Sequence, residues 1–259
     1  MKFSIVTISY NQARFLEQAI LSVLNQKGVD VEYIVVDPGS SDGSREIIER
    51  YRDRIARVFF EPDQGPADGL SKGFQYATGD VYGYLNSDDY FEPGAFGRVA
   101  HFFDARPDVD VLNGAIRIVD SGGRARLRTG IADRFDLRRF VAGASWVGQQ
   151  GTFFRRQAFE RSNRFRIENR TCWVGELLVD LALANSRFAV MHSVLGNFRI
   201  HSQSISGSNR LNDQYLRDLE SIRNRLAEAN IAVSPARSAA LRVMHRANVI
   251  RHFRSLVIR

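Results

Sequence analysis

Short apolar runs alternate with helix-spaced apolar positions through the first ninety residues. That alternation is the pattern of βαβ units and a mainly parallel sheet. Residues 3–8 (FSIVTI) read as a buried strand, and Phe15, Ala19, Ile20 and Val23 fall at helical spacing within 12–26. A second strand at 32–36 ends in the turn-rich DPGSSDGS, where Ser41 or Asp42 can cap the helix that carries Ile47 and Ile48. Residues 57–60 give a third strand, GPADGLSKGFQYATGD a loop and short helix, and 81–85 a fourth strand. In open α/β sheets ligands gather at the carboxyl ends of the strands, so the loops after these four are the place to look for chemistry.

The pattern then loosens. Residues 110–119 read as a strand, DSGGRARLRTG as a basic hairpin tip, and GTFFRRQAF as a strand running into a helix. CWVGELLVDLALANS has the spacing of a helix, and FAVMHSVLGNFRIH supplies one or two strands. Two helices fill about 210–230 and 235–257, the second opened by Ser234-Pro235, a cap followed by proline at the first helical position. The Ser/Asn/Gly-rich stretch 202–212 is where an α/β domain of residues 1–206 gives way to a helical extension, 207–259.

Composition narrows the class. A chain of 259 residues with 44% apolar and 25% charged content is long enough for one large α/β domain with a buried core. The single cysteine, Cys172, excludes an internal disulfide and suits a reducing compartment. No apolar run approaches the roughly 18 residues that span a bilayer, and MKFSIVTISYNQ turns polar too early for a signal peptide. A cytoplasmic protein is expected.

The formal charge of +7 is unevenly placed: residues 210–259 carry ten arginines and four acids, and residues 234–259 carry no acid. Such a tail attracts an anionic membrane surface, nucleic acid or a phosphorylated substrate, or is simply an arginine-rich packing helix. Its apolar residues do not fall on one clean face. No basic motif interleaved with aromatics supports nucleic-acid binding, and no G-x-G-x-x-G follows the first strand, which excludes a dinucleotide-linked oxidoreductase.

Acids collect at the strand ends. Asp37 closes the second strand, Asp68 and Lys72 follow the third, and Asp88 and Asp89 close the fourth. Adjacent carboxylates repel unless a cation accompanies them. Oxygen ligands at this density suit Mg²⁺ or Mn²⁺, which take one or two carboxylates together with substrate phosphates.

Four segments then follow one another in order: SIVTISYNQARFLEQAILSVLNQ, YIVVDPGSSDGS, EPDQGPADGLSKGFQYATGD and YGYLNSDDYFEPGA. Together they resemble an inverting glycosyltransferase of family 2 with the GT-A fold, of the bacterial cell-surface polysaccharide type, including O-antigen synthesis. The resemblance is strong over 1–105, the nucleotide-sugar half. It continues more loosely over 106–206, the acceptor half, through GQQGTFFRRQAF, GELLVDLAL and VLGNFRIHSQSIS. It implies a Rossmann-like, mainly parallel mixed sheet flanked by helices, with a C-terminal helical tail. The implied donor is a nucleotide-diphosphate sugar, most simply a UDP-sugar, and the implied acceptor a glycan or lipid-diphosphate-linked glycan at the inner membrane face.

The same resemblance assigns roles. Thr7, Ser9 and Tyr10 would wrap the nucleotide base and Asp37 would contact it, while Asp68 and Lys72 would face the nucleotide, with Ser71 where the family has Asn. Asn86-Ser87-Asp88 aligns with the family's DxD motif, its first acid replaced by an amide, so Asn86 and Ser87 would meet the donor and Asp88 would be the main metal ligand. Asp89 would assist or tie down the loop. His201, in the FRxH segment with Arg199, would return to the metal and diphosphate. The inverting step needs one carboxylate to take the acceptor proton, and Glu176 stands where the family places an acidic pair. Asp180, one turn along the same helix face, is the alternative. Trp146, Gln149 and Gln150 could line the acceptor or donor-sugar pocket, and Trp146 is equally well read as packing. A sugar nucleotidyltransferase or a non-catalytic nucleotide-sugar-binding module shares several of these features. The first normally carries an N-terminal Gly-rich loop that TISYNQARF lacks, whereas the second accommodates the missing acids.

Overall fold

A computed structural model describes residues 1–125, 132–145, 147–204 and 211–254, with side chains to residue 245. Among these residues eight strands form one sheet: β1 (Lys2–Ile8), β2 (Asp30–Val36), β3 (Arg57–Phe59), β4 (Val81–Asn86), β5 (Tyr90–Phe91), β6 (Val111–Val119), β7 (Thr152–Arg155) and β8 (Phe188–Arg199). Their order is β3-β2-β1-β4-β7-β6-β8-β5. β3, β2, β1 and β4 run parallel, β7 is antiparallel to β4 and β6, β8 is parallel to β6, and β5 is antiparallel to β8. The sheet is flanked by α1 (Ala13–Leu24), α2 (Ser44–Arg50), α3 (Pro66–Gln75), α4 (Ala95–Ala105), α5 (Leu137–Val141), α6 (Arg156–Arg161), α7 (Trp173–Leu183), α8 (Asn212–Glu228) and α9 (Pro235–Arg254).

The apolar runs of the central strands are continuous because both faces are covered. Phe3 and Ile5 of β1 join Leu16, Ile20 and Val23 of α1 and Phe96 and Val99 of α4 in one cluster. Val6 points to the other face, with Leu70 and Phe74 of α3 and Leu177 and Leu178 of α7 in the second cluster. α3 lies so close to β1 that a Cβ on its Gly73 would overlap the Val6 side chain.

Register sets up the site. Ile8 stands opposite Val36 on one side and Asn86 on the other, so Ser9, Asp37 and Ser87 to Asp89 leave the sheet side by side. Hydrogen bonds from Ser9 N to Val36 O (2.9 Å) and Ser87 N to Ile8 O (3.1 Å) extend that alignment past the strand ends.

Two local expectations, the number of strands over 188–199 and the cap of α2, are settled by the structure. The segment 188–199 is a single strand, and it matches β6 only through register shifts around Ala115. Gly43, at φ 96°, takes the cap position of α2 in place of Ser41 or Asp42. The Asp42 carboxylate instead accepts the amides of Ser44 (3.1 Å) and Ala13 (2.9 Å), tying the starts of α2 and α1 together. In the expected helical extension, α8 buries Ile222 and Leu226 in the cluster that holds Trp173, Leu177 and Leu178. Of the expected hairpin tip, the described part turns back through a bridge between Val119 and Ala125. Its residues 126–130, Trp146, linker residues 205–210 and the last helix beyond 254 lie outside the described residues. Among the described residues no helix is long and apolar enough to cross a membrane.

Candidate active site

β4 ends at Asn86, and the chain turns through Ser87 and Asp88 into β5. β8 returns alongside β5 and delivers His201 to the same place, its Nε2 3.1 Å from Asp88 Oδ2. The imidazole is held on its other faces too. It lies against Phe15 of α1, ring centroids 4.7 Å apart, and its Nδ1 accepts the Gln203 amide at 3.3 Å. Burial pushes the Asp88 carboxyl above its ordinary value, with His201 and then Arg199 pulling the other way. Asn86 Oδ1 is buried beside this pair without a hydrogen-bond partner.

Asp89 has a different task. It is 1% exposed, with Oδ1 accepting the Arg199 backbone amide (2.8 Å) and Oδ2 accepting Gln150 Nε2 (2.5 Å). Burial and the adjacent Asp88 push its carboxyl well above the usual carboxylate range. It therefore ties the loop to β8 and to Gln150.

Arg199, expected beside His201 and at the acceptor or donor pocket, is a buried clamp. Its guanidinium donates to Asp88 O (2.7 Å), Gln18 Oε1 (2.6 Å) and Ser121 O (3.1 Å), and it sits over the rings of Phe15 (4.6 Å) and Tyr90 (5.4 Å). Here is a fixed cation beside the two carboxylates, one that locks the loop's backbone. Gln149 is buried with Nε2 unpartnered.

The expected nucleotide contacts divide. Thr7 is a core residue: it is fully buried and its Oγ1 accepts the Tyr33 hydroxyl at 3.0 Å. Ser9 is buried with its hydroxyl unpartnered, and Tyr10 is 62% exposed at the rim. Asp37 closes its own loop, with Oδ1 accepting Ser40 N (2.8 Å) and Oδ2 accepting Ser40 Oγ (2.6 Å) while Arg45 Nε stands 3.4 Å away. Asp68 caps the turn before it through Gln64 N (2.9 Å) and pairs with Lys72 at 3.4 Å, and Lys72 Nζ also reaches Pro62 O. Asp63, missed in the sequence although it lies in the EPDQG segment, joins them. Burial raises its carboxyl, with Lys72 opposing and Asp68 and Asp37 reinforcing.

A second cluster surrounds Glu176 in the first turn of α7. Glu176 Oε2 accepts Asn169 Nδ2 at 2.8 Å, and Oε1 lies 3.3 Å from Arg225 of α8 and 3.6 Å from Arg166. Asp180, its side chain fully buried, meets the same two arginines, each at 3.1 Å. Burial raises the Glu176 carboxyl; Asn169, Arg225 and Arg166 oppose this, and Asp180 adds to it. Asn169, Arg166 and Arg225 are beyond sequence reasoning, because no spacing links them to α7. The loop before α7 packs over α3, with Ser71 Oγ donating to Phe165 O (3.3 Å) and a Cβ on Gly65 falling 3.5 Å from the Arg170 guanidinium. That contact joins the Glu176 cluster to the Asp63, Asp68 and Lys72 corner.

Asp88 and His201 supply an oxygen and a nitrogen of the kind a divalent ion accepts, and Asn86 Oδ1 is an unpartnered oxygen near Asp88 in the chain. Among the described residues no group of three His, Cys, Asp or Glu side chains gathers at one point. The arrangement fits an ion completed by substrate phosphates and not a closed all-protein cage. A separate groove of about 950 Å³ lies where β6 and β8 begin, lined by Arg106, Arg134, Arg138, Arg139 and Arg187.

The fold matches known proteins. The glycosyl transferase family 2 profile matches residues 4–173, and the chain belongs to that family. An uncharacterised glycosyltransferase of Nostoc sp. is 28% identical over 215 residues, 78% of this chain and 65% of that protein, so the chain spans less than two thirds of that relative's length. Among solved structures, S. aureus TarS 1–349 in complex with UDP-GlcNAc superposes with a TM-score of 0.72 at 19% identity, over 95% of this chain and 71% of that one. The mannosyltransferase PcManGT of Pyrobaculum calidifontis, in complex with GDP-Man and Mn²⁺, gives 0.61 at 17% identity, over 98% and 82%. The fold is the GT-A fold of these enzymes.

Proposed function

We propose that the chain transfers a sugar from a nucleotide-diphosphate sugar, a UDP-sugar, to a glycan or lipid-linked glycan hydroxyl, with inversion. The observation that carries this reading is the Asp88–His201 pair at the aligned ends of β1, β2 and β4, beside the unpartnered Asn86 oxygen. Asp88 and His201 would hold Mg²⁺ or Mn²⁺, which when bound stabilises the charge of a departing diphosphate. Lys72 and the free polar atoms of Ser9, Asn86 and Gln149 orient the donor. Glu176 takes the acceptor proton, and a carboxylate made more basic by burial suits that role.

TarS solved with UDP-GlcNAc supports the choice of a uridine donor. The acid-free α9 exposes Val243 and Met244 beside Arg242, which suits peripheral contact with an anionic inner-membrane surface on the cytoplasmic side. Release of nucleoside diphosphate from UDP-sugars, measured over a glycan acceptor panel, tests the transfer. It should be abolished by EDTA and by Asp88→Ala, and full activity of either would overturn the metal-assisted reading.

A further inference from the structure

The matched family profile ends at residue 173, three residues before Glu176 and well before α8. Yet one face of α8 reaches the Glu176 cluster twice. Asp218 accepts Thr171 N (2.9 Å), Thr171 Oγ1 (2.6 Å) and Arg170 N (3.1 Å), fixing the loop that carries Asn169. Two turns on, Arg225 meets Glu176 and Asp180. Ile222 and Leu226, 1% and 0% exposed, anchor the same face between and beside these two contacts, at the spacing of one helical stripe.

Two carboxylates one helical turn apart and both buried cannot stay ionised on their own. The groups that face them are Arg166 from the preceding loop, Arg225 from α8, the Asn169 amide, and the Cys172 thiol, which burial first and then Asp218 and Glu176 push up to about 12 and so keep neutral. Arg166 is the more distant of the two cations from Glu176, at 3.6 Å against 3.3 Å. Arg225 is also the more enclosed, its side chain 25% exposed against 36%.

Resting on Glu176 as the base, we infer that Arg225 is its positioning residue: the guanidinium holds the Glu176 carboxylate ionised and fixed beside Asp180, which makes α8 a working part of the catalytic unit. Asp180 is then the buried counter-charge that keeps Arg225 in place, and not a second base.

The test compares Arg225→Gln, Arg225→Lys and, as an exposed control on the same helix, Arg217→Gln in the full chain. UDP release from UDP-GlcNAc is followed against pH, and the Glu176 carboxyl is titrated by ¹³C NMR. Arg225→Gln is expected to lower kcat by about ten- to a hundredfold with donor KM little changed. It should also move the acid limb of the rate profile and the Glu176 titration to higher pH. Arg225→Lys should recover most of the rate and the original limb, and Arg217→Gln should match wild type. An Arg225→Gln protein with an unmoved Glu176 titration overturns the proposal, as does an Arg225→Lys protein that folds but behaves like Arg225→Gln. Glu176→Gln separates the two readings: full activity there removes Glu176 as base, while the NMR titration still decides whether Arg225 governs that carboxyl.

Discussion

His201 Nε2 stands 3.1 Å from Asp88 Oδ2, although the two residues are 113 positions apart in the chain. Only the return of β8 beside β5 brings them together. If this pair is a divalent-ion site, His201→Ala removes one of its two protein ligands. Mn²⁺ affinity in the presence of UDP should then fall about ten- to a hundredfold, read by electron paramagnetic resonance of free Mn²⁺. Unchanged affinity would assign His201 to holding the loop only.

Arg199→Met should cost about 3 kcal/mol, because Asp88 O and Gln18 Oε1 lose a charged donor in a buried setting. Urea denaturation would show it as a lower midpoint with unchanged slope. A variant as stable as wild type would mean the clamp contributes nothing net.

Glu32 provides a pH signature. Burial would raise its carboxyl, but hydrogen bonds from Ser4, Thr78 and Lys2 outweigh that and hold it at about 2 against 4.5 ordinarily. A depressed carboxyl stabilises the fold fully above the unfolded value and ceases to do so as pH falls through the folded one. Glu32→Gln should therefore be less stable than wild type at pH 7, with the gap closing between pH 4.5 and about 2. A gap independent of pH would contradict this assignment.

Two helical glycines should respond in opposite directions. In α4, a Cβ on Gly97 meets nothing within 4 Å, so Gly97→Ala should stabilise by about 0.5–1 kcal/mol. In α3, a Cβ on Gly73 would collide with Val6, so Gly73→Ala should destabilise by about 1–3 kcal/mol despite the same gain in helix propensity. Thermal melts of the two proteins decide it.

The parallel half of the sheet was legible in the sequence because β1, β2 and β4 carry continuous apolar runs and are followed by polar turn residues, with acids after β2 and β4. The sequence motifs name Asp88 and His201, and the fold brings the two side chains to 3.1 Å. Thr7, Gln150 and Arg199 show what residue type leaves open: it announces hydrogen-bonding capacity, and only packing decides whether that capacity is spent internally. Thr7 spends it on Tyr33, Gln150 on Asp89 and Arg199 on backbone carbonyls. Arg225 was invisible because its contacts with α7 depend on how α8 docks, which no local pattern encodes.

Calorimetric titration of UDP-GlcNAc into the full chain, with and without Mn²⁺, tests most directly whether the β4 end is a sugar-nucleotide site. Binding should require Mn²⁺ and weaken at least tenfold in Asp88→Ala, a variant whose melt should stay close to wild type. Equal affinity in wild type and Asp88→Ala, with the ion making no difference to either, would contradict the assignment.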